Sequence, residues 1–365
     1  MTDTLLTPAP RRRVLKLLPA LGSLALLVAA VAASRALPTA EPRAAAQDGE
    51  VPAHTAKAVA AAEKFLQSLD DKLRAKATFD FDSNKRPQWS NLPVGMVPRN
   101  GVRMGELTKD QREAALAVVA AVTSADGYQK VLDIIGGDDV LSKGKGGKGG
   151  KGKGGDFGFD NFYLALFGKP SATTPWLVQF GGHHLAVNVT VVGKDFVLTP
   201  TLTCAQPSAY DRDGKKVRPL GVEVDTAFKL LGTLNDKQKA QAVVSAKAID
   251  LQLGPKQDGK DIKAEGLKGS DMDENQQKLV AELAAAWVLI LHETSAKPRM
   301  DEIRAGIKDT YFAWFGPTAD GSAAYFRVTG PTVVIEYAPQ QGSTDHIHTI
   351  VREPGNDYGK KLLKK

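Results

Sequence analysis

The sequence predicts an α+β fold: an antiparallel sheet covered by helices, arranged as two related helix-then-hairpin halves. Three observations carry this expectation. Stretches with apolar residues at three- and four-residue spacing are interspersed with short alternating runs, the two periods of helix and strand. Three segments open on one capping signature. Finally, residues 161–170 and 176–188 resemble residues 310–317 and 325–336 in order and composition, as an internal duplication would.

Taken in chain order, Arg11, Arg12, Arg13 and Lys16 precede an apolar run over 17–33, small residues and Arg35. Residues 1–35 therefore read as a secretory signal peptide or N-terminal anchor. The run contains Pro19 and Gly22 and is shorter than the roughly 20 residues of a membrane span. Export is the favoured reading, to the periplasm, cell envelope or medium, with membrane attachment only through an uncleaved N-terminal segment. Cleavage after Ala33 and cleavage near Ala44 to Ala46 both stay open. Residues 36–53 read as a linker and 54–365 as a single α+β domain.

Within that domain Val59, Ala62, Phe65, Leu66 and Leu69 predict an amphipathic helix over 56–73, followed by a strand at 78–81. Thr108, Asn235 and Asp273 each stand three residues before a glutamine (Gln111, Gln238, Gln276) and directly after an apolar residue. Each predicts a helix start with a reciprocal capping box. Segments 161–170 and 310–317 read as short aromatic helices. Helical pairs over 107–135 and 273–312 then lead into hairpins over 176–190 and 324–338. This alignment sets Gly182 and His183 against Gly330 and Pro331, and Asn188 against Glu336. The glycine-lysine tract 143–155 reads as a flexible surface insertion and lacks the GxxxxGK[ST] pattern of a phosphate loop.

Composition narrows the function classes. The 365 residues are 42% hydrophobic and 24% charged, an ordinary globular balance. The net charge of +7 resides in residues 1–35 and in the five lysines of the tract 143–155, so the remainder is near neutral and nucleic acid is not an expected partner. Cys204 is the one cysteine, which excludes an internal disulfide, a thiolate zinc cluster and a CxxC redox centre. No serine lies in a Gly-x-Ser-x-Gly setting, which argues against acyl transfer by a serine elbow.

Four of the six histidines fall in two clusters, His183 with His184 and His346 with His348. In an alternating strand His346 and His348 project to one face, where two imidazoles can share one divalent transition metal (Zn, Cu, Fe or Mn) with a third ligand from His184 or Glu336. The same rings serve equally well as hydrogen-bonding groups on a polar sheet face. On a strand only one of His183 and His184 can reach a shared site, and His184 has the parity of Asn188. His292 reads as a charge at a helix C-terminus, and His54 as part of the leader. Beyond the HxH strand, Arg352 is a candidate clamp for an anionic group and Asp357 a candidate base. The plainer reading of this stretch is a turn held by an ion pair.

The Gly182-His183-His184-Leu185 element with Asn188, and the run from His346, His348 and Arg352 to Asn356, Asp357, Tyr358 and Gly359, resemble the domain of unknown function 3500 family. The resemblance covers most of the chain from about residue 56, and the glycine-lysine tract departs from it. It implies a shared domain with a polar site and no particular reaction. It also implies that His183, His184, Glu336, His346, His348, Arg352 and Asp357 converge. The leading expectation is an exported metal-dependent enzyme, hydrolytic or oxidative. His184, Glu336, His346 and His348 are its metal candidates, Arg352 and Asp357 its catalytic candidates, and His183, Asn188 and Tyr358 its ligand-binding candidates. The alternatives are a non-catalytic binding module for a small anionic or peptide ligand and a structural envelope protein.

Overall fold

In the computed structural model, which describes residues 51–143, 155 and 157–364, all three capping boxes form. Thr108, Asn235 and Asp273 each accept the backbone N–H of their glutamine, whose side chain accepts the cap residue's own N–H in return. Each box satisfies two helix-end donors locally, which is why it is legible without tertiary information. The expected signal segment lies outside the described residues, as do nearly all of the expected linker and of the glycine-lysine tract.

The chain starts with α1 (Ala53–Ser68) and α2 (Asp71–Ala77), so the one helix expected over 56–73 is two. Asp70 accepts from Leu73 N at 2.7 Å and thereby caps a new helix. Next come β1 (Thr78–Phe79), β2 (Val102–Arg103), α3 (Lys109–Val122) and α4 (Ala125–Lys143), then β3 (Tyr163–Phe167), β4 (Trp176–Gly181), β5 (Leu185–Val192), β6 (Asp195–Val197), β7 (Thr201–Ala205), β8 (Tyr210–Arg212) and β9 (Lys215–Val217). The second half runs α5 (Gly221–Thr233), α6 (Asp236–Ala242), β10 (Val243–Ser245), β11 (Leu267–Lys268), α7 (Glu274–Val288), α8 (Glu293–Ala305), β12 (Tyr311–Phe315), β13 (Tyr325–Thr329), β14 (Val334–Pro339), β15 (Ile347–Arg352) and α9 (Lys360–Leu363).

Segments 161–170 and 310–317 are therefore not aromatic helices: each is a short 3₁₀ turn running into a strand, β3 or β12. Both strands have four successive buried residues, and a strand covered on both faces loses the alternation that marks one in sequence. His292 also differs from expectation, because it precedes α8 and its Nδ1 accepts from Thr294 N at 3.3 Å, capping an N-terminus. His54 belongs to α1 rather than to a leader, and its Nε2 lies 2.9 Å from the Lys194 carbonyl oxygen.

Among the described residues one sheet of 13 strands runs β1-β3-β4-β5-β7-β15-β14-β13-β12-β10, with β2 on β3, β6 on β5 and β11 on β12. Only the terminal pairs, β1 with β3 and β10 with β12, are parallel. The helices cover one face, where Leu164, Val178, Phe180, Val187, Ile335, Phe326, Phe312 and Trp314 join Val118, Val119, Leu283 and Trp287 in the main core. The opposite face is roofed largely by two long loops, 80–101 and 246–266, which set Phe81, Trp89, Ile249 and Leu251 against it. Polar residues of that face hold the roof. Gln179 donates to Arg86 O at 2.9 Å, and Glu336 accepts from Gln252 N and Leu253 N at 2.8 and 2.7 Å. No helix among the described residues is long and apolar enough to cross a membrane.

Candidate metal centre

The middle of the sheet brings the histidines together. In β15 His348 is paired with Cys204 of β7, and Cys204 N donates to the His184 carbonyl oxygen at 2.9 Å, so His184 and His348 flank one residue of a central strand. His184 stands in the turn between β4 and β5, with a φ of 63°. This left-handed conformation is uncommon for a residue with a Cβ. The turn is tight because Gly182 N donates to Leu185 O at 3.0 Å, and a Cβ on Gly181 would fall 2.3 Å from that same oxygen. Being outside the strand, His184 is released from strand parity. Its ring centroid lies 3.5 Å from that of His183, so both imidazoles reach the same region.

Nε2 of His346 lies 3.0 Å from Nε2 of His184 and 3.0 Å from Nε2 of His348. A ring nitrogen offers one in-plane lone pair or one N–H, so His346 Nε2 cannot make two good hydrogen bonds at once. A shared cation accepts all three lone pairs. An ion bonded to nitrogen at about 2.0–2.1 Å sets neighbouring ligands roughly 3.0–3.4 Å apart, and the observed spacings fit. Burial drives His184 well below the ordinary imidazole range, helped by its three histidine neighbours. Burial and the nearby His346 push His348 down to about 3, and burial also lowers half-buried His346. All three are thus held neutral, the form that ligates. These buried groups could hold a metal ion.

Around them, the side-chain amide of Asn91 lies 3.0 Å from Nδ1 of His348. Asp138 of α4 lies 2.5 Å through Oδ1 from Nδ1 of His183, and its Oδ2 accepts Gly158 N at 2.7 Å. Asp138, His183 and His184 form a second group with metal-ligand spacing. Neither Asn91 nor Asp138 is among the residues expected from sequence. Asn91 lies in an aperiodic loop with no motif. Asp138 did leave a trace, since Val131, Ile134, Ile135 and Asp138 sit on one helical stripe, and an acid on an apolar stripe is a buried acid. A cleft of about 330 Å³ opens beside His348, lined by Asn91, Leu92, Asp250, Leu251, Lys256 and Gln340 among others.

The remaining candidates are engaged elsewhere. Glu336 Oε1 accepts from the Tyr325 hydroxyl at 2.7 Å and from Gln252 N, and Oε2 from Leu253 N, so both its oxygens are committed to holding the roof loop. Arg352 donates to the carbonyl oxygens of Leu253 and Gly254 and to Asp258 and Asp357, which leaves little of its guanidinium for a substrate anion. Asp357 is taken up by Arg352 and by Glu353 N at 3.0 Å. Tyr358 accepts from Trp89 Nε1 at 2.9 Å, and Asn188 is held by Gln179 and the Pro200 carbonyl oxygen. The expected convergence is met by the four histidines; Arg352 and Asp357 form a separate cluster, and Glu336 a third.

A family model described as "Protein of unknown function (DUF3500)" matches residues 52–360. No curated protein and no solved structure matches the chain.

Proposed function

The chain belongs to the DUF3500 family, and we propose that it is a metal-dependent enzyme acting outside the cytoplasm, with His184, His346 and His348 as ligands and the cleft beside His348 as the substrate seat. The observation that carries this reading is the meeting of three Nε2 atoms, from two distant segments, at 3.0 Å spacings that hydrogen bonds alone cannot satisfy. A divalent ion in this set would act as a Lewis acid and lower the pKa of a bound water. An Asn91 amide turned with its oxygen toward His348 would accept Nδ1–H and leave Nε2 as the ligating atom, the usual outer-shell arrangement. Asp250 and Lys256 supply opposite charges to the cleft.

Metal analysis of the full chain, purified without an affinity tag, tests the proposal beside the His346→Ala/His348→Ala variant. At least one bound ion per chain in the wild type, and fewer in a folded variant, is the expected result. Absence of metal from both after reconstitution with Zn, Cu, Fe and Mn would sink it. Export rests on the basic residues 11–16 and the apolar run 17–33. N-terminal sequencing of the exported chain is expected to begin after Ala33 or near Ala46, and a cytoplasmic chain beginning at Met1 overturns it.

We further infer that the two halves arose by duplication. Supporting this, Gln111 at the start of α3 donates to Ser68 O at the end of α1, and Gln276 at the start of α7 donates to Thr233 O at the end of α5. Gly101 and Gly266 have φ of 100° and 99°, and a Cβ on either would lie 2.2 Å from a carbonyl oxygen of β3 or β12, Leu164 or Phe312. In the hairpins Gln179 pairs with Asn188, and Arg327 with Glu336. Alanine at Gly101 and at Gly266 is expected to destabilise to a similar degree in denaturant melts, and a large disparity argues against equivalence.

A further inference from the structure

We propose a second cation position, one ring away from the first, held by Asp138, His183 and Nδ1 of His184, so that the His184 imidazole is shared between two metals. The inference rests on the first centre being a metal site and extends it from a mononuclear to a paired one. An oxygen of Asp138 and one nitrogen each of His183 and His184 lie within 4.8 Å of one another, and all three residues are buried.

Two features of these residues ask for a cation. The first is His184 itself, only 1% exposed: its Nε2 faces His346, while its Nδ1 is buried with no hydrogen-bond partner among the described residues. A buried polar atom left in that state is costly, and coordinating the first ion through Nε2 does nothing to relieve it. The second is Asp138, also 1% exposed, which makes an ion pair among the described residues with His183 alone and with no lysine or arginine. A buried carboxylate is expensive without a fixed counter-charge, and a divalent ion between Asp138 and the two imidazoles would supply one.

A carboxylate with imidazoles is a donor set for a borderline divalent ion such as Zn or Cu(II) rather than Ca or Mg. Uptake at both nitrogens of His184 makes the ring an imidazolate and sends its one N–H proton to solvent. At the same time the 2.5 Å contact between Asp138 and His183 opens to admit the ion, and the His183 Nδ1 proton moves to its Nε2. Each step conserves charge and protons, and none requires an oxidant.

The test is a metal count on the full, untagged chain loaded with Cu(II) and freed of excess. Two ions per chain are expected in the wild type and one in each of Asp138→Asn and His183→Gln, with circular dichroism checking the fold. Two Cu(II) ions coupled through one ring should also suppress the ordinary isolated-copper electron paramagnetic resonance signal, which returns in Asp138→Asn. One ion in the wild type, unchanged in Asp138→Asn, overturns the second position and leaves the first intact. No ion at all removes both readings. Two ions retained in both variants place the second ion elsewhere and overturn the assignment. Should Asp138→Asn fail to fold, the wild-type count and His183→Gln decide.

Discussion

The polar cluster around Glu336 and the polar cluster of histidines differ in how their atoms are partnered. Glu336 is fully buried and accepts three hydrogen bonds from a tyrosine and two backbone amides, beside Arg327, which is paired with Glu265 at 2.7 Å. The histidines present nitrogens to one another and leave His184 Nδ1 unmatched. A polar group whose every acceptor is filled from its own chain is holding that chain, here the loop 246–266. Neutral donors turned inward on each other are arranged for something the chain does not supply. The contrast separates two roles that an unaligned sequence cannot, since glutamate and histidine are both credible ligands on composition alone.

The largest expected effect breaks the holding cluster. Glu336→Ala leaves the Tyr325 hydroxyl and the amides of Gln252 and Leu253 buried without an acceptor, and should cost about 3 kcal/mol or more in urea unfolding. A loss under about 1 kcal/mol would mean that the roof loop is tied down by other contacts. Next comes metal itself. At about 100 times its Kd a bound ion adds about 2.7 kcal/mol. That stabilisation is expected in full in the wild type and in Glu336→Gln and only in part in His346→Ala/His348→Ala, measured as the metal-dependent shift in Tm.

A third effect follows from the lowered imidazole pKa values in the metal-free chain. Below the ordinary value of 6.5 the unfolded chain binds protons that folded His184, His346 and His348 refuse. The stability they contribute is therefore complete above that pH and is lost as pH falls, for His348 down to about 3. Each contributes a slope of at most about 1.4 kcal/mol per pH unit. Denaturant melts between those limits should show a shallower decline in the double alanine variant, and equal slopes would mean that the rings are not held neutral.

What could be read from sequence was what local chemistry decides. The boxes at Thr108, Asn235 and Asp273 close within four residues, so their helices were legible, and the two-residue spacing of His346 and His348 correctly put both rings at one place. The strands β3 and β12 were misread because burial on both faces erased their alternation. His183 and His184 were separated by strand parity, which fails where the backbone turns left-handed at His184. Asn91 and Asp138 reach the site from a roof loop and a helix far away in the chain, and only the tertiary fold brings them there.

The smallest effect discriminates most finely. His346 is half-buried, just ahead of β15, and its side-chain hydrogen-bond contacts are the Nε2 atoms of His184 and His348. If the cluster is a ligand set, removing this ring from the metal-free chain deletes no satisfied anchor, and it relieves the competition of two neighbours for one nitrogen. His346→Ala should then change metal-free stability by no more than about 0.5 kcal/mol, while reducing the stabilisation that added metal gives the wild type. Paired melts with and without metal read both numbers from one preparation. A metal-free loss as large as that of Glu336→Ala would make the histidines a second holding cluster, and the distinction between the two clusters would collapse.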